Sequence, residues 1–141
     1  LARRYSRAPR YPQIAAAALK EMFRQKGSNF WLDDNGVAES GLIIRHLVLP
    51  GAVENSKAVL RFLAEELSPA VHISLMSQYW PTPAVRNHPQ LGRLVTREEY
   101  EEVLAEFSRL GFYRGWVQDL DSPDHYRPQF SQDLHFGDPH D

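Results

Sequence analysis

The apolar and polar positions along the chain predict alternating helices and strands. Residues 12–26, PQIAAAALKEMFRQK, are rich in alanine, with Pro12 suited to a first helical turn and Gly27 to a stop, which predicts a helix. The stretch GSNFWLDDNG predicts a loop with DDNG as its turn. Residues 41–49 are short, rich in Leu, Ile and Val and bounded by Gly and Pro-Gly, which predicts a buried strand. In the predicted helix at residues 12–26, the side chains expected to be buried are Ile14, Ala18, Leu19 and Met22.

A second helix and a second strand follow closely. The segment ENSKAVLRFLAEEL, residues 54–67, predicts a helix that Asn55 or Ser56 can cap. After the short connection SPA, the segment VHISLMSQ, residues 71–78, predicts a second strand. Strand, helix and strand so close together predict a βαβ unit with parallel strands and a right-handed crossover. The helix would bury Val59, Leu60, Leu63 and Leu67.

The remainder of the chain predicts one long helix and little additional sheet. A capping box, TREE, begins at Thr96, and the helix that follows ends at Gly111. FYRGWVQDL is consistent with one more short strand, and residues 121–141 predict an irregular polar tail. Two or three parallel strands leave edges and a face uncovered, so we expect an α/β fold that is part of a larger sheet or barrel. The predicted helix between Thr96 and Gly111 would bury four side chains in the core: Tyr100, Val103, Leu104 and Phe107.

Composition excludes several classes of function. A formal net charge of -2 over 141 residues gives no basic footprint, so we expect no nucleic-acid partner. The six histidines form no recognisable metal-ligand motif; HFGDPHD in the tail is the nearest approach, and we expect no metal there. The sequence shows no signal-peptide core and no apolar run of about 18 residues, so we expect a cytoplasmic protein without a membrane partner.

The stretch GLIIRHLVLPG places a charge inside an apolar run. Alternation puts Arg45 and His46 on opposite sides of the predicted strand. Helices cover one side of a parallel sheet, and in a barrel the other side is the interior. A buried cation is tolerated there only if an anion offsets its desolvation. Arg45 therefore either reaches solvent or a neighbouring carboxylate, or binds the carboxylate or phosphate of a ligand.

The second strand has one apolar and one polar face. Val71, Ile73 and Leu75 belong under the helices, which leaves the alternate positions facing an interior. Ligands bind at the carboxyl ends of strands in parallel α/β folds, so Met76 and Gln78 are candidate binding residues. The alternative is that Gln78 merely caps the strand.

Extended phrases of the sequence resemble a known family. GLIIRHLVLPG, the following ENS, ISLMSQYWP and LVTREEYEEVLAEFSRLGFYRGWVQDL resemble the C-terminal half of radical S-adenosylmethionine (SAM) proteins of the pyruvate formate-lyase activating enzyme type. The similarity is greater to the branch known as activating-enzyme-like iron–sulfur proteins, and it covers about residues 1–120. The resemblance implies that the chain is the C-terminal part of a partial (β/α)6 TIM-like barrel, made of a parallel βαβ unit and flanking helices.

The resemblance also implies cofactors and a site. In the family, a C-x3-C-x2-C loop holds a 4Fe-4S cluster that binds SAM, and reductive cleavage of SAM gives a 5′-deoxyadenosyl radical that abstracts hydrogen, in activating enzymes from a glycine of a partner enzyme. Arg45 matches the fifth-strand arginine that helps to hold SAM. Met76, Gln78 and Tyr79 fall where the family lines the adenine side of the pocket. Activating enzymes of known function carry a histidine near Tyr79, and this chain does not.

The cysteine triplet of the family is absent from this chain, which contains no cysteine. We therefore expect a segment of a longer protein whose N-terminal half completes the barrel, or a fold that has lost the chemistry. We expect this chain alone to hold no cofactor, to associate with itself through an open strand edge and, in the full-length protein, to act on a glycyl-radical-type protein substrate. Two alternatives stay open: a non-catalytic protein-interaction module, and a phosphate-binding barrel fragment that uses Arg45.

Overall fold

The computed structural model describes residues 7–118 of the chain. These residues form three helices and five strands, together with one 3-10 turn at Pro83–Val85. In chain order the elements are α1 (Tyr11–Lys26), β1 (Phe30–Leu32), β2 (Ala38–Gly41), β3 (Ile43–Leu47), α2 (Val53–Glu66), β4 (His72–Met76), α3 (Arg97–Arg109) and β5 (Gly115–Val117).

Three of the strands form a parallel sheet in the order β3-β4-β5. Arg45 on β3 and Trp116 on β5 both lie beside Ser74 on β4. Gly115 lets β5 approach this closely, because a Cβ atom there would come within 1.9 Å of the Ile73 carbonyl oxygen. The predicted α/β class, the parallel βαβ unit and the short third strand are confirmed.

Helices α2 and α3 cover one face of the sheet. Ile44 and Val48 from β3 and its end, and Val71, Ile73 and Leu75 from around β4, are buried on that face. They pack against side chains of the two helices, and the Tyr100 hydroxyl donates a hydrogen bond of 3.2 Å to the Leu75 carbonyl oxygen. The apolar set of the second strand thus lies under the helices, as predicted. The helix side chains in this core are Leu60, Leu63, Tyr100, Val103 and Phe107.

The predicted capping box at the start of α3 is present and extends beyond the helix. The Thr96 hydroxyl accepts from the Glu99 backbone N–H at 3.2 Å, and the Glu99 carboxylate accepts from the Thr96 N–H at 2.9 Å. The same carboxylate also accepts from the Gly51 N–H at 2.7 Å and from the Arg93 guanidinium. Glu99 therefore joins the start of α3 to the loop that follows β3.

The predicted buried stripe of α1 is wrong for three of its four residues. Ile14 is 60% exposed and Met22 is 43% exposed, and Ala18 is exposed as well. Leu19, together with Phe23, makes the contact with the core instead. Periodicity identified an apolar flank on this helix, but no described element packs against it.

Two local predictions are also corrected. The predicted loop GSNFWLDDNG contains β1, which pairs antiparallel with β2 just beyond the loop, as a hairpin around the predicted DDNG turn. Helix α2 starts at Val53 with Ala52 in the cap position and no side-chain cap, so the predicted caps Asn55 and Ser56 lie inside the helix, where Ser56 is buried and bonded to His46. The predicted polar tail at residues 121–141, with its HFGDPHD motif, lies outside the described residues.

Candidate functional site

The sheet has a second face that α2 and α3 do not cover, which we call the Arg45 face. Alternation along the strands and the parallel register bring its side chains into rows across the sheet. At Gln118 the backbone N–H donates to the Leu75 carbonyl oxygen at 3.1 Å, which extends the β5 pairing beyond Val117. The Arg45 face consists of Ile43, Arg45, Leu47, His72, Ser74, Met76, Trp116 and Gln118.

Arg45 lies exposed in the middle of this face. The guanidinium Nη2 donates to the Met76 sulfur at 3.2 Å, and no carboxylate among residues 7–118 forms an ion pair with it. A thioether is a weak, neutral acceptor, so this contact orients the guanidinium without compensating its charge. Arg45 is therefore a solvent-exposed cation, which agrees with the sequence-based alternative that it reaches solvent and leaves room for an anion, whereas a partner carboxylate has no candidate within this range.

His46, the next residue, lies on the helix-covered face as alternation predicted. Its Nε2 is 3.0 Å from the Ser56 hydroxyl of α2. Burial lowers the pKa of His46 below its usual value, because the charged imidazolium would lose its hydration there. His46 thus links β3 to α2 in its neutral form and is not part of the Arg45 face.

The amino end of the Arg45 face is closed by aromatic rings. Phe30 of the hairpin lies 5.2 Å from the His72 ring and 6.3 Å from the Trp116 ring, measured between centroids. Burial, followed by the nearby charge of Arg114, lowers the pKa of His72. The Nδ1 atom of His72 is buried, and a hydrogen bond with the Ser28 backbone partly offsets this lowering of the pKa.

The carboxyl end of the sheet is bordered by the loop after β4. The Gln90 side-chain amide donates to the Gly51 carbonyl oxygen at 2.6 Å, which ties this loop to the end of β3. The Tyr79 hydroxyl donates to the Leu91 carbonyl oxygen at 2.8 Å, so the loop is also held from within. The two loops at this end are thereby joined to each other, where parallel α/β folds bind their ligands.

Gln118 is the residue of this face that the sequence prediction missed. Its Oε1 atom is buried and has no hydrogen-bond partner within residues 7–118. An unpaired buried acceptor is costly in a folded protein and is expected to have a donor. The alternation in GWVQ, with Trp116 and Gln118 on one side, is the signal that could have identified it.

Of the four predicted binding residues, the structure brings Arg45 and Met76 together on the Arg45 face. Arg45 and Met76 are in direct contact. Gln78 is half-buried and lies beyond the end of β4, in a turn where the Tyr79 N–H donates to the Ser77 carbonyl oxygen at 2.8 Å, so strand alternation does not place it on this face. Tyr79 differs, because it packs against the hydrophobic core and its hydroxyl is already bonded to Leu91. Only the Tyr79 ring is left to contact a ligand.

Comparisons with known proteins give no relatives for this chain: no family model matches it, and no curated protein or solved structure matches either. Within residues 7–118 there is no group of three or more His, Cys, Asp or Glu side chains that could hold a metal ion. None of the helices in this range is long and apolar enough to cross a membrane. Function must therefore be argued from the Arg45 face itself.

Proposed function

We propose that this chain is the C-terminal part of a radical SAM protein of the pyruvate formate-lyase activating enzyme-like type, and that its Arg45 face completes the SAM pocket. The observation that carries the proposal is Arg45, an oriented guanidinium without a carboxylate partner in the described part of the chain. It lies on the face where a barrel would have its interior. A guanidinium fork suits a carboxylate, and SAM presents one.

The uncovered side of α1 supports a larger barrel. Helix α1 packs beside α2, and an ion pair joins Lys20 to Glu66. Met22 is two positions from Lys20, so its side chain points about 160° away from that of Lys20 around the helix axis. The exposed apolar flank with Ile14 and Met22 therefore faces away from α2, where the next helix of a barrel would lie.

The free edge of β3 supports the same extension. Among the described strands, β3 is an outer strand of the parallel sheet, and Ile43 at its start is 36% exposed. Edge strands present unpaired N–H and C=O groups that favour a further strand. A strand beside β3 and a helix beside α1 together make one β/α unit, which is the repeat of the proposed barrel.

In the proposed pocket each residue has a defined task. Arg45 binds the SAM carboxylate, held in position by Met76. Gln78 and the Tyr79 ring, with Met76, line the adenine side. A 4Fe-4S cluster, when bound, supplies the electron for reductive cleavage of SAM. Because this chain has no cysteine, the N-terminal half of the proposed protein would supply the cluster thiolates. A glycyl-radical-type protein is the proposed substrate class.

The test measures SAM binding by calorimetry on the full-length protein, prepared without oxygen. Arg45→Met removes the charge and the two-pronged donor at similar bulk, and we expect SAM affinity to fall about 10- to 100-fold. Arg45→Lys keeps the charge without the fork and should give an intermediate loss.

Arg24→Met is the matched control. It removes another exposed arginine, on α1, whose partner is Glu21 of the same helix. SAM affinity should be unchanged in this variant. The proposal is overturned if the wild-type protein does not bind SAM, or if Arg45→Met lowers the melting temperature of the ligand-free protein and leaves affinity intact.

A phosphate-binding site is a second candidate function, supported by the same Arg45 guanidinium without a carboxylate partner among the described residues. Inorganic phosphate, titrated in place of SAM, would then bind the wild-type protein and lose affinity in Arg45→Met. The third candidate, a protein-interaction module, is favoured by the apolar flank of α1 and the free edge of β3. It predicts that neither small ligand binds.

A further inference from the structure

Gln118 occupies a defined place relative to Arg45 on the Arg45 face. The β5 pairing continues past Val117, so Gln118 lies beside Met76, on the opposite side of β4 from β3. Met76 is also the residue that contacts the Arg45 guanidinium. The Met76 side chain thus separates a cation on β3 from an amide on β5.

The Arg45 guanidinium and the Gln118 side-chain oxygen have complementary hydrogen-bonding roles. Arg45 can only donate hydrogen bonds and has no anion within residues 7–118. The Oε1 atom of Gln118 can only accept, is buried and has no donor in the same range. Strand spacing and residue rise place the two Cα atoms about 12 Å apart, a span that one extended small molecule can cover.

We infer that Gln118 is a further binding residue of the Arg45 face, which accepts a hydrogen bond from the end of the ligand opposite to its carboxylate. The inference rests on the proposed function, in which the ligand is SAM. The donor at the far end of SAM is then the exocyclic amino group of adenine. With the amide oriented as in the structure, so that Oε1 is the atom without a partner, Gln118 would favour a 6-amino purine over a 6-oxo purine, because an oxo group offers no hydrogen to Oε1.

The experiment compares SAM with S-inosylmethionine, its 6-oxo counterpart, on the full-length protein by calorimetry. Gln118→Met keeps the length of the side chain and removes the acceptor. We expect SAM to bind about 5- to 10-fold more weakly to this variant, the loss of one hydrogen bond, and S-inosylmethionine to bind as it does to wild type. Gln118→Glu retains an acceptor and should still prefer SAM.

The outcomes separate this inference from the proposed function. If wild type binds SAM and Arg45→Met weakens it, while Gln118→Met has no effect or weakens both ligands equally, the inference fails and the proposed function stands. If wild type does not bind SAM, both fail. Should Gln118→Met not fold, the Gln118→Glu protein decides: loss of its preference for SAM overturns the inference.

Discussion

Neighbouring residues of β3 have opposite environments. Arg45 is exposed on the face without helices, whereas His46 is half-buried on the helix-covered face and bonded to Ser56. The difference comes from strand alternation alone, since the two residues share one backbone segment. The same segment therefore carries a candidate ligand contact on one side and a structural hydrogen bond on the other.

His46 should make stability depend on pH. Its pKa in the folded protein is lowered by burial, from a usual value of about 6.5. The unfolded chain then takes up the proton first, so stability is full above about pH 6.5 and falls as the pH drops toward the folded pKa. Urea unfolding between pH 5.5 and 7.5 should show this slope, and His46→Gln should reduce it. His72, whose pKa is also lowered, would account for a remaining slope.

Ser56→Ala provides the matched control for this prediction. It removes the partner of the His46 ring and leaves the histidine in place. The free energy of unfolding should drop by about 1 kcal/mol, with the pH slope retained. Equal slopes in wild type and His46→Gln would show that His46 does not titrate on unfolding in this range.

At the scale of elements, α3 depends on a carboxylate that does more than cap the helix. Glu99 accepts from Thr96, Gly51 and Arg93, and these contacts lower the pKa of Glu99 to about 2, the hydrogen bond from Arg93 being the largest cause. The loop after β3 is thereby fixed against the start of α3. Because this loop lies at the carboxyl end of the sheet, Glu99 also helps to position the rim of the candidate site.

Glu99→Gln should lower the free energy of unfolding by about 1–2 kcal/mol at pH 7, since it removes a charged cap and its pairing with Arg93. The folded pKa lies below the usual 4.5, so the contribution is present above pH 4.5 and is lost as the pH falls toward 2. Chemical denaturation at several pH values should therefore show the two proteins converging in acid.

Glu101→Gln is the control on the same helix. Glu101 is 61% exposed and lies 4.0 Å from Arg97, a surface pair that contributes little. This variant should stay within about 0.5 kcal/mol of wild type. If Glu99→Gln changes the free energy of unfolding as little as Glu101→Gln does, the loop after β3 is held by other contacts, such as the Gln90 bond to Gly51.

At the scale of the whole molecule, two surfaces have no neighbour among the described elements: the outer edge of β3 and the apolar flank of α1. An unpaired strand edge and an exposed apolar surface each favour association. If the proposed N-terminal half covers these surfaces, the 141-residue chain and the full-length protein should behave differently in solution.

We expect the 141-residue chain to form dimers or larger assemblies as its concentration rises, as measured by sedimentation velocity. Ile14→Lys and Met22→Lys place charges on the exposed flank of α1 and should shift the chain toward the monomer. Arg24→Lys on the same helix preserves the charge, so this control should not change the fraction of monomer. A monomer at high concentration, with the β3 amides protected from hydrogen exchange, would contradict the prediction.

Much of the local structure could be predicted from the sequence, because its causes are local. The helices, the parallel βαβ unit and the capping box of Thr96 and Glu99 follow from residue patterns that act within a few positions. Alternation also separated Arg45 from His46 and assigned Val71, Ile73 and Leu75 to the helix-covered face. Strand position also predicts Arg45 and Met76 as candidate binding residues, and the structure shows the two in contact.

The tertiary structure alone decided which apolar and polar groups have partners. Periodicity marked Ile14 and Met22 as apolar positions, but burial depends on whether another element packs there, and none of the described elements does. Ser56 is a plausible helix cap in the sequence, but α2 starts at Val53, so Ser56 lies inside the helix and is hydrogen-bonded to the half-buried ring of His46. Gln118 acquires its importance from the β5 register and from an unpaired buried atom. These outcomes depend on contacts between residues distant in sequence, which the order of the residues does not specify until the chain is folded.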